Sequence, residues 1–269
     1  MKLARCTDSQ GLVHWVQPCS PAHGIKCKGN SPFEGLEPGD QEIRAARWLA
    51  PVEPPAIFCI GLNYRAHAAE TGAALPETPV LFMKPGTAVT GPGSPIRLPT
   101  ACEHGPEVDY EAELAVIIGT RAHNVAVENA LEHVLGYTCA NDVSARRWQK
   151  HAGGGQWIRG KSFDTFCPLG PVLVTADEIR DPQVLPIRSV LNGRTMQSSN
   201  TGDMIFTVAE LIAFISRDTT LLPGTVILTG TPEGVGFARK PPVYLADGDT
   251  IEVTIDGIGA LSNPVRNAQ

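Results

Sequence analysis

The chain has 269 residues, 42% of them hydrophobic and 19% charged, and a formal net charge of −6. That length can bury a full core as one large domain or two unequal ones, and the negative balance argues against nucleic acid or an anionic membrane as a general partner. No uninterrupted apolar run approaches the roughly 20 residues of a membrane span.

The amino terminus, Met1-Lys2-Leu3-Ala4-Arg5-Cys6, lacks an apolar signal core. Seven cysteines are scattered without a C-x-x-C pair, which speaks for reduced thiols and against a disulfide framework or zinc knuckle. The expected location is cytoplasmic, or mitochondrial if a presequence has been removed.

Residues 1–54 are weakly patterned. Gly11-Leu12-Val13-His14-Trp15-Val16 reads as a short strand, Ser20-Pro21-Ala22-His23-Gly24 as a turn, and Pro51-Val52-Glu53-Pro54-Pro55 as a stiff linker. This is a small N-terminal α+β prefix, with residues 55–269 as the main domain. Ala56-Ile57-Phe58-Cys59-Ile60-Gly61 is a buried strand by its apolar run. Residues 64–70 follow as a helix with a glycine stop at Gly72. His67 and Glu70 stand three apart and share a face of it. They read either as a general base with its orienting carboxylate or as a solvated ion pair.

Pro79-Val80-Leu81-Phe82-Met83-Lys84-Pro85 is an apolar strand ending in a lysine, and residues 86–99 are loop or edge strand. In Asp109-Tyr110-Glu111-Ala112-Glu113-Leu114-Ala115-Val116 the apolar residues alternate, the period of a strand. Glu111 and Glu113 then project to one side, their Cβ atoms roughly 7 Å apart. Two carboxylates so close in apolar surroundings repel each other unless a cation lies between them. A helix is predicted over residues 125–133. Asp142 then ends a second apolar stretch. Glu111, Glu113 and Asp142 form either an all-oxygen site for a divalent cation or part of a solvated face.

The polar segment Ser144-Ala145-Arg146-Arg147-Trp148-Gln149-Lys150 leads to three consecutive glycines, Gly153-Gly154-Gly155, and to Gly160-Lys161-Ser162. A phosphate-loop pattern can be forced through Gly155–Ser162, but no strand precedes it and no long apolar helix follows, so it fails. Lys161 is better placed as a point charge for an anionic or carbonyl group. Strands are predicted at residues 170–175, 187–191, 225–230 and 250–255, with Asn192-Gly193 as a hairpin turn. Thr207-Val208-Ala209-Glu210 is a capping box opening a helix. The loop Thr231-Pro232-Glu233-Gly234-Val235-Gly236 can bring backbone N–H groups and the Thr231 hydroxyl to a ligand. Many short strands with three helix candidates make a β-rich α+β fold with mostly antiparallel pairing.

Taken together, Ile60-Gly61-Leu62-Asn63-Tyr64 with His67 and Glu70, Phe82-Met83-Lys84-Pro85, Asp109–Leu114 and Asn141-Asp142-Val143-Ser144-Ala145-Arg146 resemble the fumarylacetoacetate hydrolase superfamily. The likeness continues in Gly160-Lys161-Ser162-Phe163-Asp164-Thr165, Gln197-Ser198-Ser199-Asn200-Thr201 and Thr229–Gly236. Within it, the chain is most similar to the domain-containing branch that includes oxaloacetate tautomerases. The resemblance implies a mixed β-sandwich roll, a homodimer, and Mg²⁺ or Mn²⁺ (Ca²⁺ in a crystal) held by Glu111, Glu113 and Asp142. It implies Lys161 beside a bound 2-oxo acid, stabilising negative charge or shuttling a proton. Arg146 and Gln149 would shape the pocket and Thr231 would meet the substrate carboxylate. His67 and Glu70 match a catalytic pair on a mobile lid. The family's fuller four-acid shell has a further aspartate upstream, for which Asp109 is a weak match, so the three-acid subgroup fits.

The implied activity is enolate chemistry on a β-keto or 2,4-dioxo acid, with oxaloacetate keto–enol tautomerisation first. Acylpyruvate or fumarylacetoacetate-like C–C hydrolysis and oxaloacetate decarboxylation are the alternatives, and a catalytically silent binding protein the non-enzymatic one. The expected partner is a small 2-oxo acid, with no nucleic acid and no membrane.

Overall fold

A computed structural model of the chain describes residues 1–101, 107–150 and 155–268. Cys102 and most of the triple-glycine run lie outside the described residues. Residues 1–54, expected as an α+β prefix, hold five strands and no helix: β1 (Lys2–Thr7), β2 (Val13–Ser20), β3 (His23–Lys26), β4 (Glu42–Arg44) and β5 (Arg47–Leu49). The short apolar runs there are too brief for helices and pair as a meander instead.

Next come β6 (Ile57–Gly61), α1 (Arg65–Thr71), β7 (Val80–Lys84), β8 (Val89–Thr90), β9 (Ile96–Leu98), β10 (Val108–Asp109), β11 (Ala112–Ile118) and β12 (Val134–Asn141). The segment predicted as a helix before β12 is a 3₁₀ helix, Val127–His133, with no side-chain cap at Ala126. Without that cap its first turn has no side-chain acceptor for its N–H groups. β13 (Ser144–Ala145), α2 (Arg146–Lys150), α3 (Trp157–Lys161), β14 (Cys167–Thr175), β15 (Pro186–Leu191), β16 (Arg194–Asn200), α4 (Val208–Ile215), β17 (Val226–Leu228), β18 (Thr250–Ile255) and β19 (Gly259–Asn267) complete the chain. The two five-residue helices α2 and α3 are too short to show a helical period in sequence.

Ten strands run in the order β4-β3-β2-β1-β14-β12-β11-β17-β6-β7, and β5 and β8 extend this to a twelve-stranded sheet. A second sheet, β16-β15-β18-β19-β9, packs against its centre. Pairing is antiparallel apart from β17/β6, β14/β8 and β19/β9. β11 shows why both faces of the large sheet are apolar. Leu114, Val116 and Ile118 point into a core shared with Ile187 and Val253 of the second sheet and with Leu211 and Ile212 of α4. Ala115 and Ile117 point to the other face, against Leu3, Ile57, Cys59 and Leu173. Glu111 and Glu113 continue that odd-numbered row toward the mouth of the molecule. The capping box at Thr207 and the Asn192-Gly193 hairpin form as expected, with Asn192 and Gly193 at φ 50° and 81°.

Candidate active site

Strand register assembles the acids. In the antiparallel pair β11/β12, Ala112 lies opposite Asn141, so Glu111 comes opposite Asp142. The Asp142 N–H donates to the Glu111 carbonyl at 2.9 Å. Carboxylate oxygens of Glu111, Glu113 and Asp142 lie within 4.8 Å of one another, and all three residues are buried. β17, on the other side of β11, delivers the glycine loop, whose Gly230 N–H donates to Glu113 Oε2 at 2.7 Å. Gly230 sits at φ +97°, and a Cβ there would lie 2.7 Å from that of Asn63, so only glycine passes.

Three cations enter this cluster. Lys161 Nζ, at the end of α3, lies 2.8 Å from Glu111 Oε2, 2.6 Å from Asp142 Oδ2 and 2.7 Å from Ser144 Oγ. Arg146 places NH1 2.7 Å from Glu111 Oε1 and 2.8 Å from Gln149 Oε1, while its Nε donates to Asp109 Oδ2 at 2.9 Å. Lys84 Nζ lies 2.7 Å from Asp142 Oδ1, at an angle that makes an ion pair but no hydrogen bond. Lys84 instead donates to the carbonyls of Val143, Lys161 and Phe166 at 3.0, 2.6 and 2.8 Å.

The electrostatics single out Glu113. Burial alone would raise the pKa of Glu111, but the Lys161 and Arg146 charges outweigh it and hold this carboxyl well below its usual range. For Glu113 the balance reverses: burial, then repulsion by Asp142 and Glu111, outweigh the Lys161 charge and the Gly230 N–H and push it well above. Burial would lower Lys161, yet Asp142 and Glu111 reverse the effect and keep it an ammonium throughout the neutral range. Four carboxyl groups, Asp109 included, face three cations, so ionising all four would leave one negative charge unbalanced, and it is Glu113 that resists ionising. Three converging carboxyl groups with more potential negative charge than their cations balance fit a hard, oxygen-seeking divalent cation. Asp109 is fully buried but outside this group. It accepts N–H bonds from Gly236 at 2.7 Å and Phe237 at 3.0 Å and anchors Arg146.

A cavity of about 220 Å³ opens beside the acids. Its wall brings together His67, Glu111, Glu113, Arg146, Gln149, Lys161 and Thr231. Asp142 lies behind them and is fully buried. Glu70 backs His67 on the same helix: its Oε2 is 3.3 Å from His67 Nδ1, and it accepts the Gly234 N–H at 3.0 Å. Burial would raise Glu70, but the bonds from His67 and Gly234 prevail and lower it. Thr231 lines the cavity, and its hydroxyl donates to Ala112 O at 2.9 Å and accepts from Gln197 Nε2 at 2.8 Å.

Sequence reasoning gave no role to Lys84, Gln197 or Asn63. Each is a polar residue in an otherwise apolar or turn-like stretch, a weak signal. Asn63 is fully buried and binds Thr229 O at 2.7 Å and Phe206 through both its N–H and its carbonyl, which pins the entry to α1.

The family described as fumarylacetoacetate (FAA) hydrolase C-terminal matches residues 56–266. A mitochondrial oxaloacetate tautomerase of Xenopus laevis is 52% identical over 218 residues, 81% of this chain and 67% of that one. A human mitochondrial oxaloacetate tautomerase is 46% identical over 81% of this chain and 69% of its own length. Among solved structures, a 5-carboxymethyl-2-hydroxymuconate delta-isomerase from Mycobacterium smegmatis superposes with TM-score 0.85 at 40% identity over the whole of both chains. A fumarylacetoacetate hydrolase from Exiguobacterium antarcticum gives 0.84 at 38%, also over both whole chains.

Proposed function

This chain belongs to the fumarylacetoacetate hydrolase family, and we propose that it is an oxaloacetate keto–enol tautomerase using a divalent cation held by Glu111, Glu113 and Asp142. The observation that carries this reading is the buried acid triad beside the Lys161 ammonium at the wall of the cavity. Bound there, Mg²⁺ or Mn²⁺ would supply Lewis acidity toward the carboxylate and 2-keto oxygens of a 2-oxo acid.

The chain's own residues account for the rest. Lys161, held protonated by two carboxylates, stabilises the oxygen that gains negative charge as the enolate forms, which favours that role over proton shuttling. With Nδ1–H donated to Glu70, His67 presents Nε2 to the cavity as the group that takes a proton from C3 or returns it. Phe82, Trp157 and Phe237 give the cavity wall an aromatic part. The intact His67–Glu70 pair supports C–C hydrolysis of an acylpyruvate as the second reading, since the same base activates water.

The proposal includes a homodimer, because the edge strand β7 exposes Val80, Leu81 and Met83 beside the exposed Trp157 and Ile158 of α3. It also sets a mitochondrial location beside the cytoplasmic one, on the relatives' names.

The test follows decay of the enol absorbance of oxaloacetate, run beside acetylpyruvate cleavage, in metal-loaded protein. Glu113→Gln is expected to lower the tautomerase rate at least about 100-fold and to lose bound metal in equilibrium dialysis. An unchanged rate with unchanged metal content sinks the reading. Fast cleavage without tautomerisation makes the second reading the function.

A further inference from the structure

Three cationic side chains line the cavity, Arg146, Lys150 and Lys161. Two are committed to carboxylates of the site. Lys150 makes no ion pair among the described residues. Its Nζ stands 3.3 Å from the centroid of the Phe237 ring, which also carries the Arg146 guanidinium at 4.5 Å. Phe237 is fixed in turn by its N–H bond to the buried Asp109. An ammonium that rests on an aromatic face beside a second cation, with no ion pair among the described residues, is arranged to receive an anion. The ring contact stabilises such an ammonium modestly, and the second cation beside it works against that gain.

The spacing gives the ligand its size. Lys150 ends α2 four residues after Arg146, so the two share a helix face about one turn, roughly 5.4 Å, apart. Arg146 reaches the acid triad through Glu111, whereas Lys150 is exposed at the rim. A row therefore runs from the buried triad past Arg146 to Lys150. In an extended four-carbon diacid the carboxyl carbons are about 3.9 Å apart, which the flexible lysine stem can span.

We propose that Lys150, backed by Phe237, is the subsite for a second carboxylate, so that the pocket selects four-carbon dicarboxylic 2-oxo acids over monocarboxylic ones. Burial and the neighbouring Arg146 charge pull the lysine below its usual range, and a carboxylate seated there offsets both. The orientation of the ligand rests on the tautomerase reading, with the 2-oxo acid end at the triad.

The experiment compares oxaloacetate with its 4-methyl ester on the metal-loaded full chain, as wild type, Lys150→Met and Lys150→Arg, by equilibrium binding and by turnover. Wild type is expected to prefer the diacid about tenfold, a preference that shrinks as salt rises. Lys150→Met removes the preference through KM rather than kcat, and Lys150→Arg restores most of it. Equal affinity for both ligands in wild type, or a preference that survives Lys150→Met, overturns the subsite. Binding preference as expected without turnover of either ligand supports the subsite and overturns the tautomerase reading alone.

Discussion

Lys84 shows how much one side chain can hold. It is almost fully buried, and its ammonium reaches three carbonyls and one Asp142 oxygen. Those carbonyls belong to the residue after Asp142, to Lys161 and to Phe166, so one ammonium ties together the segments that present two site residues. Replacing it by methionine keeps the volume and strands a carboxylate oxygen beside unpaired carbonyls. Lys84→Met is expected to cost about 3–5 kcal/mol, the range for breaking a buried pair from one side. Chemical denaturation of the variant measures this, and a loss under about 1 kcal/mol refutes the assignment.

At the scale of the element, α1 carries the base but makes few contacts of its own. Its position is set from outside, by Asn63 at its entry and by Glu70 on the Gly234 N–H. Arg65 adds a bond to the Asp203 carbonyl at 3.2 Å. Asn63→Ala leaves the Thr229 and Phe206 carbonyls and the Phe206 N–H without partners, at about 1–3 kcal/mol each before water enters. The expected result is faster amide hydrogen exchange across residues 65–71 and a KM raised about tenfold, with exchange in β11 unchanged. If α1 keeps its protection, the helix is held by something other than Asn63.

Across the whole molecule, two sheets and α4 bury a common core, and the strained charges gather where β11, β12 and the glycine loop meet. Stability must then depend on pH in a defined direction. Glu113 and Asp109 have folded pKa values above their ordinary range, so between the two values the native state binds more protons than the unfolded chain. Stability of the ion-free protein therefore falls as pH rises from about 4.5 through that window. Glu111, shifted the other way, contributes stability that is lost only as pH falls below the ordinary carboxylate range. The melting temperature of chelator-treated protein should decline as pH rises above the ordinary carboxylate range. Added Mg²⁺ should restore it most at the high end, because the cation offsets the repulsion that the proton otherwise relieves. Calorimetry showing a flat ion-free profile counts against the triad as a strained site.

The alternation around Glu111 and Glu113 was legible in the sequence because strand period is local, and so were the capping box at Thr207 and the Asn192-Gly193 turn. The motifs from Ile60 to Gly236 carried the family. In residues 1–54 only the strand at Gly11–Val16, within which β2 begins, was legible; the other strands there, the two short helices and β19 were not, since such short or mixed segments show no clean period. Only tertiary structure decided which carboxylate is left without a cation. Register brings Asp142 opposite Glu111, and Lys161, Arg146 and Lys84 arrive from three other elements to neutralise all but Glu113. It also decided that the Thr231 hydroxyl bonds to Ala112 and that Lys150 rests on Phe237 at the cavity without an ion pair among the described residues. Charge balance and hydrogen-bond direction depend on distances between residues far apart in the chain, and local pattern holds no record of those.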